Sequence, residues 1–310
     1  VRSAGDAIRV IELPYKNVPL LNEPLYVGFK KFLRQEQYDY VQINEEGNLA
    51  SWLVALTCHR TGCRFGIYQG IYRAWSGRKW AFYELLHKRL LRPFLLRNVV
   101  GAFCKTSQAK QFLEDRGYQK TEIVPVGLDV EKFQHRIDRN WRDELGIPAN
   151  EQLILYVGRL EQDRNPEFIA KLASQAEKGK HFVLIGEGPC RAFFEKLKAS
   201  GELKNLLLVG RLRQEELPAI SEQSDVLILP SSSELFGMVV VESLFFGTPV
   251  VCRNTAGPAE IIQSELHGRL IDDLDSDKWL NAISSYGLAS VNPEARVERS
   301  AYVRARFDWL

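Results

Sequence analysis

Short aliphatic runs alternate along this chain with stretches in which hydrophobic side chains return every three or four positions. An unbroken apolar run suits a parallel strand covered on both faces, whereas three- and four-residue spacing places apolar groups on one side of a helix. Strands are predicted at Ile8–Leu13, Tyr40–Ile43, Arg64–Tyr68, Val99–Cys104 and Glu122–Pro125, with helices at Tyr26–Arg34, Leu49–Thr57, Lys79–Leu91 and Ser107–Arg116. A second series follows Gly146-Ile147-Pro148. Its strands are expected at Leu153–Val157, Phe182–Ile185, Leu206–Val209, Val226–Leu229 and Val250–Cys252, and its helices at Pro166–Gln175, Arg191–Ala199, Glu215–Glu222 and Met238–Phe246. Such alternation predicts an α/β chain of two Rossmann-like domains, each a parallel sheet with helices on both faces. The boundaries expected are 1–135 and 136–310, with residues 126–138 as linker, a site in the cleft between the domains and a last helix returning toward the first domain.

Composition adjusts this picture only slightly. A chain of 310 residues exceeds the usual single core, and 45% hydrophobic residues suit a globular protein. No apolar run approaches the roughly eighteen residues of a membrane-spanning helix. A net charge of +2 argues against nucleic acid as a partner. The five cysteines, Cys58, Cys63, Cys104, Cys190 and Cys252, have neither CxxC spacing nor a histidine cluster beside them. They read as reduced thiols in a reducing, cytoplasmic compartment, with no metal and no cofactor implied.

The segment from Ser231 to Val250 carries the most chemistry. Val226-Leu-Ile-Leu-Pro230 reads as a buried strand, so Glu234 falls at its carboxyl end; Met238, Val241, Leu244 and Phe245 then recur at helical spacing, with Glu242 one turn in. The unpaired amides of a helix start at Gly237, Met238 and Val239 attract anions such as a diphosphate. Two glutamates beside a phosphate site repel it unless they accept hydrogen bonds from neutral hydroxyls, Glu242 from a ribose and Glu234 from a sugar ring. Taken singly, each glutamate is as well explained as a solvated surface residue.

Glutamate, seven residues, glutamate, with Phe236-Gly237 after the first and Gly247-Thr-Pro-Val250 after the second, resembles the signature of retaining glycosyltransferases of the GT-B fold, family 4. Val157-Gly158-Arg159-Leu160 resembles the donor-phosphate loop of that family. Lys105–Lys110 and Ile123–Asp129 resemble its interdomain segment, and Ala256–Glu260 with Leu266-His-Gly268 its later turns. Matches run from about Asp39 to Leu310. The resemblance implies transfer of a sugar from a nucleoside diphosphate donor, UDP- or GDP-type, to a hydroxyl acceptor, with retention and without a metal. Arg159 and Arg164 would then meet the leaving phosphate, Arg164 standing where the family usually has lysine, and Glu234 would hold the sugar. Gly158, Gly186, Gly188, Arg211, Leu212, Phe236, Gly237, Met238, Val239 and Glu242 would line the donor site, and Gln69 and Gly70 the acceptor side. All of these turns fall at carboxyl ends of predicted strands, where ligands of open α/β sheets bind.

Three departures qualify the resemblance. Gln69 stands where the family commonly has histidine, and an amide cannot shuttle a proton near neutrality. The strand, glycine-rich loop and helix that open the family's first domain are not found, and Ala7–Pro14 resembles a later strand, which implies an incomplete acceptor side. Met238 is the only methionine, so Val1 is not a start residue, and a cleaved leader is compatible with that. A non-catalytic nucleotide-sugar-binding protein is therefore a second reading. A nicotinamide oxidoreductase is a third, weakened because Gly186-Glu187-Gly188 lacks the last glycine of its fingerprint, where Arg191 stands. Between Arg73 and Arg97, Trp75, Arg78, Lys79, Trp80, Lys88, Arg89 and Arg92 accompany a single acid, Glu84. The plain expectation is a solvated helix packing Phe82, Leu85, Leu86 and Leu90 on its own sheet. The alternative is a basic amphipathic helix on anionic lipid, at the inner face of a membrane, suited to a lipid-linked glycan acceptor.

Overall fold

A computed structural model describes residues 2–4, 8–18, 23–36, 38–73, 78–133, 135–287 and 292–308. The positions of Ala7, Trp75 and Leu310, and the side chains of Arg78, Lys79 and Trp80, lie outside this description. The chain divides into two compact units, Val1–Val124 and Pro125–Leu310. That break precedes the 135/136 boundary read from the linker, because the segment after Pro125 is fastened to the second unit. The Leu128 amide donates to the Phe307 carbonyl at 2.6 Å, and Phe133 packs on Phe245 and Phe246.

In the first unit, β1 (Arg2–Ala4) pairs antiparallel with β2 (Ile8–Val10), and β3 (Tyr15–Val18) with β4 (Glu23–Tyr26). Ile8–Val10, expected in the parallel sheet, thus belongs to a separate two-stranded ribbon. Helices α1 (Phe29–Glu36) and α2 (Leu49–Thr61) flank β5 (Tyr40–Asn44), and β6 (Arg64–Gln69) follows. Next come α3 (Arg78–Leu86), a π turn at His87–Leu91, α4 (Arg92–Asn98), β7 (Ala102–Cys104), α5 (Ser107–Glu114) and β8 (Thr121–Ile123). β5 to β8 form a parallel sheet in sequence order. Phe65 and Ile67 of β6 share a core with Ala55, Leu95 and Leu113 from the helices.

The π turn has a buried anchor. His87 points inward, its Nε2 at 3.2 Å from the Glu46 carbonyl, just beyond β5. The Glu46 carboxylate accepts from Tyr118 Oη at 3.0 Å, faces Arg116 Nε at 3.0 Å and lies 3.9 Å from Arg92 Nε. Glu84 in turn binds Arg92 at 2.5 Å and Arg116 at 3.1 Å. Charges this deep are tolerated because each has a partner.

The second unit contains α6 (Trp141–Leu145), β9 (Gln152–Val157), α7 (Pro166–Gln175), β10 (Lys180–Ile185), α8 (Arg191–Ala199), β11 (Leu206–Gly210) and α9 (Leu217–Gln223). After these come β12 (Val226–Leu229), α10 (Met238–Phe245), β13 (Val250–Arg253), α11 (Ala256–Ile261), β14 (Gly268–Ile271), α12 (Ser276–Ser285) and α13 (Pro293–Phe307). The six strands are all parallel, in the order β11-β10-β9-β12-β13-β14. Leu153 and Leu155 face one core and Ile154 and Tyr156 the other, as an apolar strand buried on both faces requires. α13 lies on α10, and Arg299 binds the Leu266 and Gly247 carbonyls from it. The order of strands reverses between β9 and β12, so a crevice opens beyond their carboxyl ends.

Candidate active site

The crevice is built from the turn after β9, the turn after β12 and the start of α10. β12 ends at Pro230, and Ser231 to Leu235 carry the chain to Gly237, whose φ of +90° is a left-handed conformation that glycine adopts without penalty. A Cβ there would also stand 3.3 Å from Glu234 Cγ. Past this bend α10 begins. The Val240 amide returns to the Gly237 carbonyl at 2.9 Å, while the amides of Met238 and Val239 have no acceptor inside the helix.

Across the crevice the chain leaves β9 through Gly158 to Arg164. Arg164 Nη1 donates to Ser231 Oγ at 3.0 Å and to Glu234 Oε2 at 2.5 Å, both side chains being largely shielded. Asn165, at φ +54°, seats this arginine by donating from Nδ2 to the Pro230 carbonyl at 2.6 Å and to Ser232 Oγ at 2.9 Å. Neither Asn165 nor the two serines stands out in the sequence; the signal is an asparagine before proline, a turn pattern, opposite a serine-rich strand end. Arg253, at the end of β13, approaches the same Ser232 hydroxyl at 3.4 Å.

Glu242 is different in kind. Among the described residues its carboxylate has no hydrogen bond or ion pair, and burial alone raises its pKa from 4.5 to about 7. An unpartnered, desolvated carboxyl one turn into a helix costs stability and therefore points to a ligand group that completes it.

Several predicted site residues are placed differently. Arg159 is 68% exposed and pairs with Glu161 at 2.9 Å, so its guanidinium is not gathered with Arg164. Phe236 is buried edge-on against Phe307 at 5.9 Å and supports the loop from beneath, leaving only its backbone toward the crevice. Leu212 packs partly against the core and Arg211 is exposed. Gly186 and Gly188 are small because another loop lies on them: a Cβ on Gly186 would fall 1.8 Å from the Gly158 oxygen, and one on Gly188 2.4 Å from the Leu160 oxygen. With Leu160 N donating to the Glu187 carbonyl at 2.9 Å, the glycine turn is a backing for the donor loop. Alanine at Gly186, where φ is +140°, is expected to lower unfolding stability by about 1–3 kcal/mol through this overlap, measurable by denaturant titration.

In the first unit Gln69 is 1% exposed. Its Oε1 accepts from the Glu46 amide at 3.0 Å and its Nε2 donates to the Ile71 carbonyl at 2.9 Å, so both ends are spent on the turn and neither is offered to a ligand. Gly70 and Ile71 donate their amides to the Glu45 carboxylate at 3.0 Å. Burial raises the Glu45 pKa, against the lowering effect of those amides and of Lys105. Among the described residues no group of three or more histidine, cysteine, aspartate or glutamate side chains is placed to hold a metal ion.

The pattern of the family "Glycosyl transferases group 1" matches residues 137–303, from the end of the linker to the last helix. A D-inositol 3-phosphate glycosyltransferase of Corynebacterium urealyticum is 31% identical over 204 residues, covering 60% of this chain and 47% of that protein. The UDP-Gal:alpha-D-GlcNAc-diphosphoundecaprenol alpha-1,3-galactosyltransferase of Escherichia coli is 26% identical over 296 residues, covering 90% of this chain and 74% of that protein. The chain spans about half the length of the D-inositol 3-phosphate glycosyltransferases it matches. Among solved structures, HepE of Anabaena in complex with UDP and glucose superimposes with a TM-score of 0.72 at 16% identity, over 95% of this chain and 81% of that one. Sucrose-phosphate synthase of Thermosynechococcus elongatus gives 0.71 at 21% identity, over 91% and 72%. With more than half of its residues matched by the family pattern and two Rossmann-like units of the GT-B fold, this chain belongs to the glycosyl transferases group 1 family.

Proposed function

We propose that the protein transfers a sugar from a nucleoside diphosphate sugar, of UDP type, to a hydroxyl acceptor, with retention at the anomeric carbon and without a metal ion. The observation that carries this reading is Glu242, buried without a partner behind the free amides of α10, beside a Glu234 that Arg164 already holds. Glu242 would accept from a ribose hydroxyl, and Glu234 from the sugar ring. The bond from the anomeric carbon to the leaving phosphate breaks as a bond to the acceptor oxygen forms on the same face, and the acceptor proton passes to the leaving phosphate oxygen. Negative charge growing on that phosphate is met by Arg164, by Arg159 once it turns from Glu161, and by the amides of Met238 and Val239. A uridine nucleotide and a lipid-linked acceptor are supported by the name of the Escherichia coli relative, and UDP by the ligand bound to HepE.

Titration calorimetry with UDP, GDP and NADH tests the reading. UDP is expected to bind, with donor hydrolysis or transfer unaffected by a chelator; NADH binding in the absence of any nucleoside diphosphate binding would overturn it. The internal satisfaction of Gln69 favours a second reading, a nucleotide-sugar-binding protein without turnover. Tight UDP binding with no product across a panel of donors and acceptors selects it.

A further inference from the structure

The helical segment that starts at α3 shows a face with nothing on it. Phe82 is 70% exposed and Leu90 62%, and Leu85 and Leu86 are exposed between them, so the side chains expected to pack on the sheet lie outside. Positions 82, 85, 86 and 90 form one stripe along the helix. Lys88 and Arg89 are exposed beside it. The single acid of the segment, Glu84, is bound to Arg92 and Arg116, which leaves these cations uncompensated. An apolar stripe next to cations without acids is complementary to a surface where acyl chains lie beneath anionic headgroups.

We propose that this face docks the first unit on an anionic membrane surface, with Phe82, Leu85, Leu86 and Leu90 entering the headgroup boundary and Lys88 and Arg89 meeting lipid phosphates. The inner side of the same helix is fixed: His87 contacts the Glu46 carbonyl and Arg92 lies near its carboxylate, at the carboxyl end of β5. Docking would therefore hold that sheet edge, with the Gly70 turn bound to Glu45, at a set position relative to the lipid. The proposal stands apart from the sugar-transfer reading, since it concerns the surface alone.

Sedimentation of the full chain with vesicles tests it, using phosphatidylcholine alone and an equal mixture of phosphatidylcholine and phosphatidylglycerol. Binding is expected on the mixed vesicles and about tenfold less on the neutral ones, weakening as salt is raised. Phe82→Ser/Leu90→Ser and Lys88→Glu/Arg89→Glu are each expected to lower partition by about tenfold or more, with UDP affinity unchanged as a check on folding. Equal partition of wild type and both variants, or no binding to the mixed vesicles, overturns the proposal. Self-association in solution that Leu90→Glu abolishes would do so too, by assigning the face to a contact between copies.

Discussion

Glutamine at position 242 is expected to stabilise the folded protein above neutral pH and to weaken its hold on a nucleoside diphosphate. Burial raises the Glu242 carboxyl from 4.5 to about 7, so between those values the unfolded chain has lost a proton that the folded chain retains. The unfolded state then binds fewer protons, and stability falls as pH rises through this window. At about 1.4 kcal/mol per unit the deficit amounts to roughly 3 kcal/mol above pH 7 and is absent below pH 4.5. Glutamine does not titrate. Denaturant unfolding curves of the variant and the wild type should therefore converge near pH 4 and differ by about 2–3 kcal/mol near pH 8. Affinity should move the other way, by about tenfold for glutamine and up to about a hundredfold for alanine, as a charged hydrogen bond to a ribose hydroxyl is weakened or removed. A wild type whose stability relative to Glu242→Gln does not change between pH 4 and 8 would show that the carboxyl is solvated.

The second large effect belongs to Arg164. Its fork joins Ser231 and Glu234, so Arg164→Ala removes a cation from the crevice and frees the carboxylate that would hold the sugar. Transfer measured as kcat/KM is expected to fall by about 100- to 1000-fold, the range of a lost transition-state donor. Lysine restores the charge but not the fork, and is expected to recover part of the loss. The accompanying loss of stability should be smaller, about 1–2 kcal/mol, because solvent reaches both side chains. Turnover by Arg164→Ala within about tenfold of wild type would place the phosphate elsewhere in the crevice.

What was legible in the sequence follows from range. The run Leu153–Val157 announces its own strand because both faces of that strand are buried, and α7 and α8 fall where Pro166 and Arg191 begin a helical period. The bend at Gly237 is a local event and was equally visible. The pairing of Arg164 with Glu234 was not, since it arises only when strands β9 and β12 bring two distant turns together. Phe236 shows the same limit: a phenylalanine in a signature loop reads as a ligand contact until Phe307 is found beneath it. Gln69 reads as a substitute for a catalytic group until its two partners, one on the next turn and one across the sheet edge, are known. The outward stripe of α3 escaped because apolar residues at helical spacing do not state which side is inward, and the π turn shifts that side partway along.

A π turn is an α-helix that has gained a residue, and here the gain is a reading-frame matter. Each residue advances a helix by about 100°, so losing any one of positions 87–91 would close the helix into a regular coil and rotate all that follows by that angle. Arg92 would swing away from Glu46 and Glu84, and the side chains after the turn would exchange inner for outer positions. Substitutions in this stretch alter one contact each. A single-codon deletion would rewrite the face of the whole segment, which makes length, more than composition, the property that natural variation here must preserve.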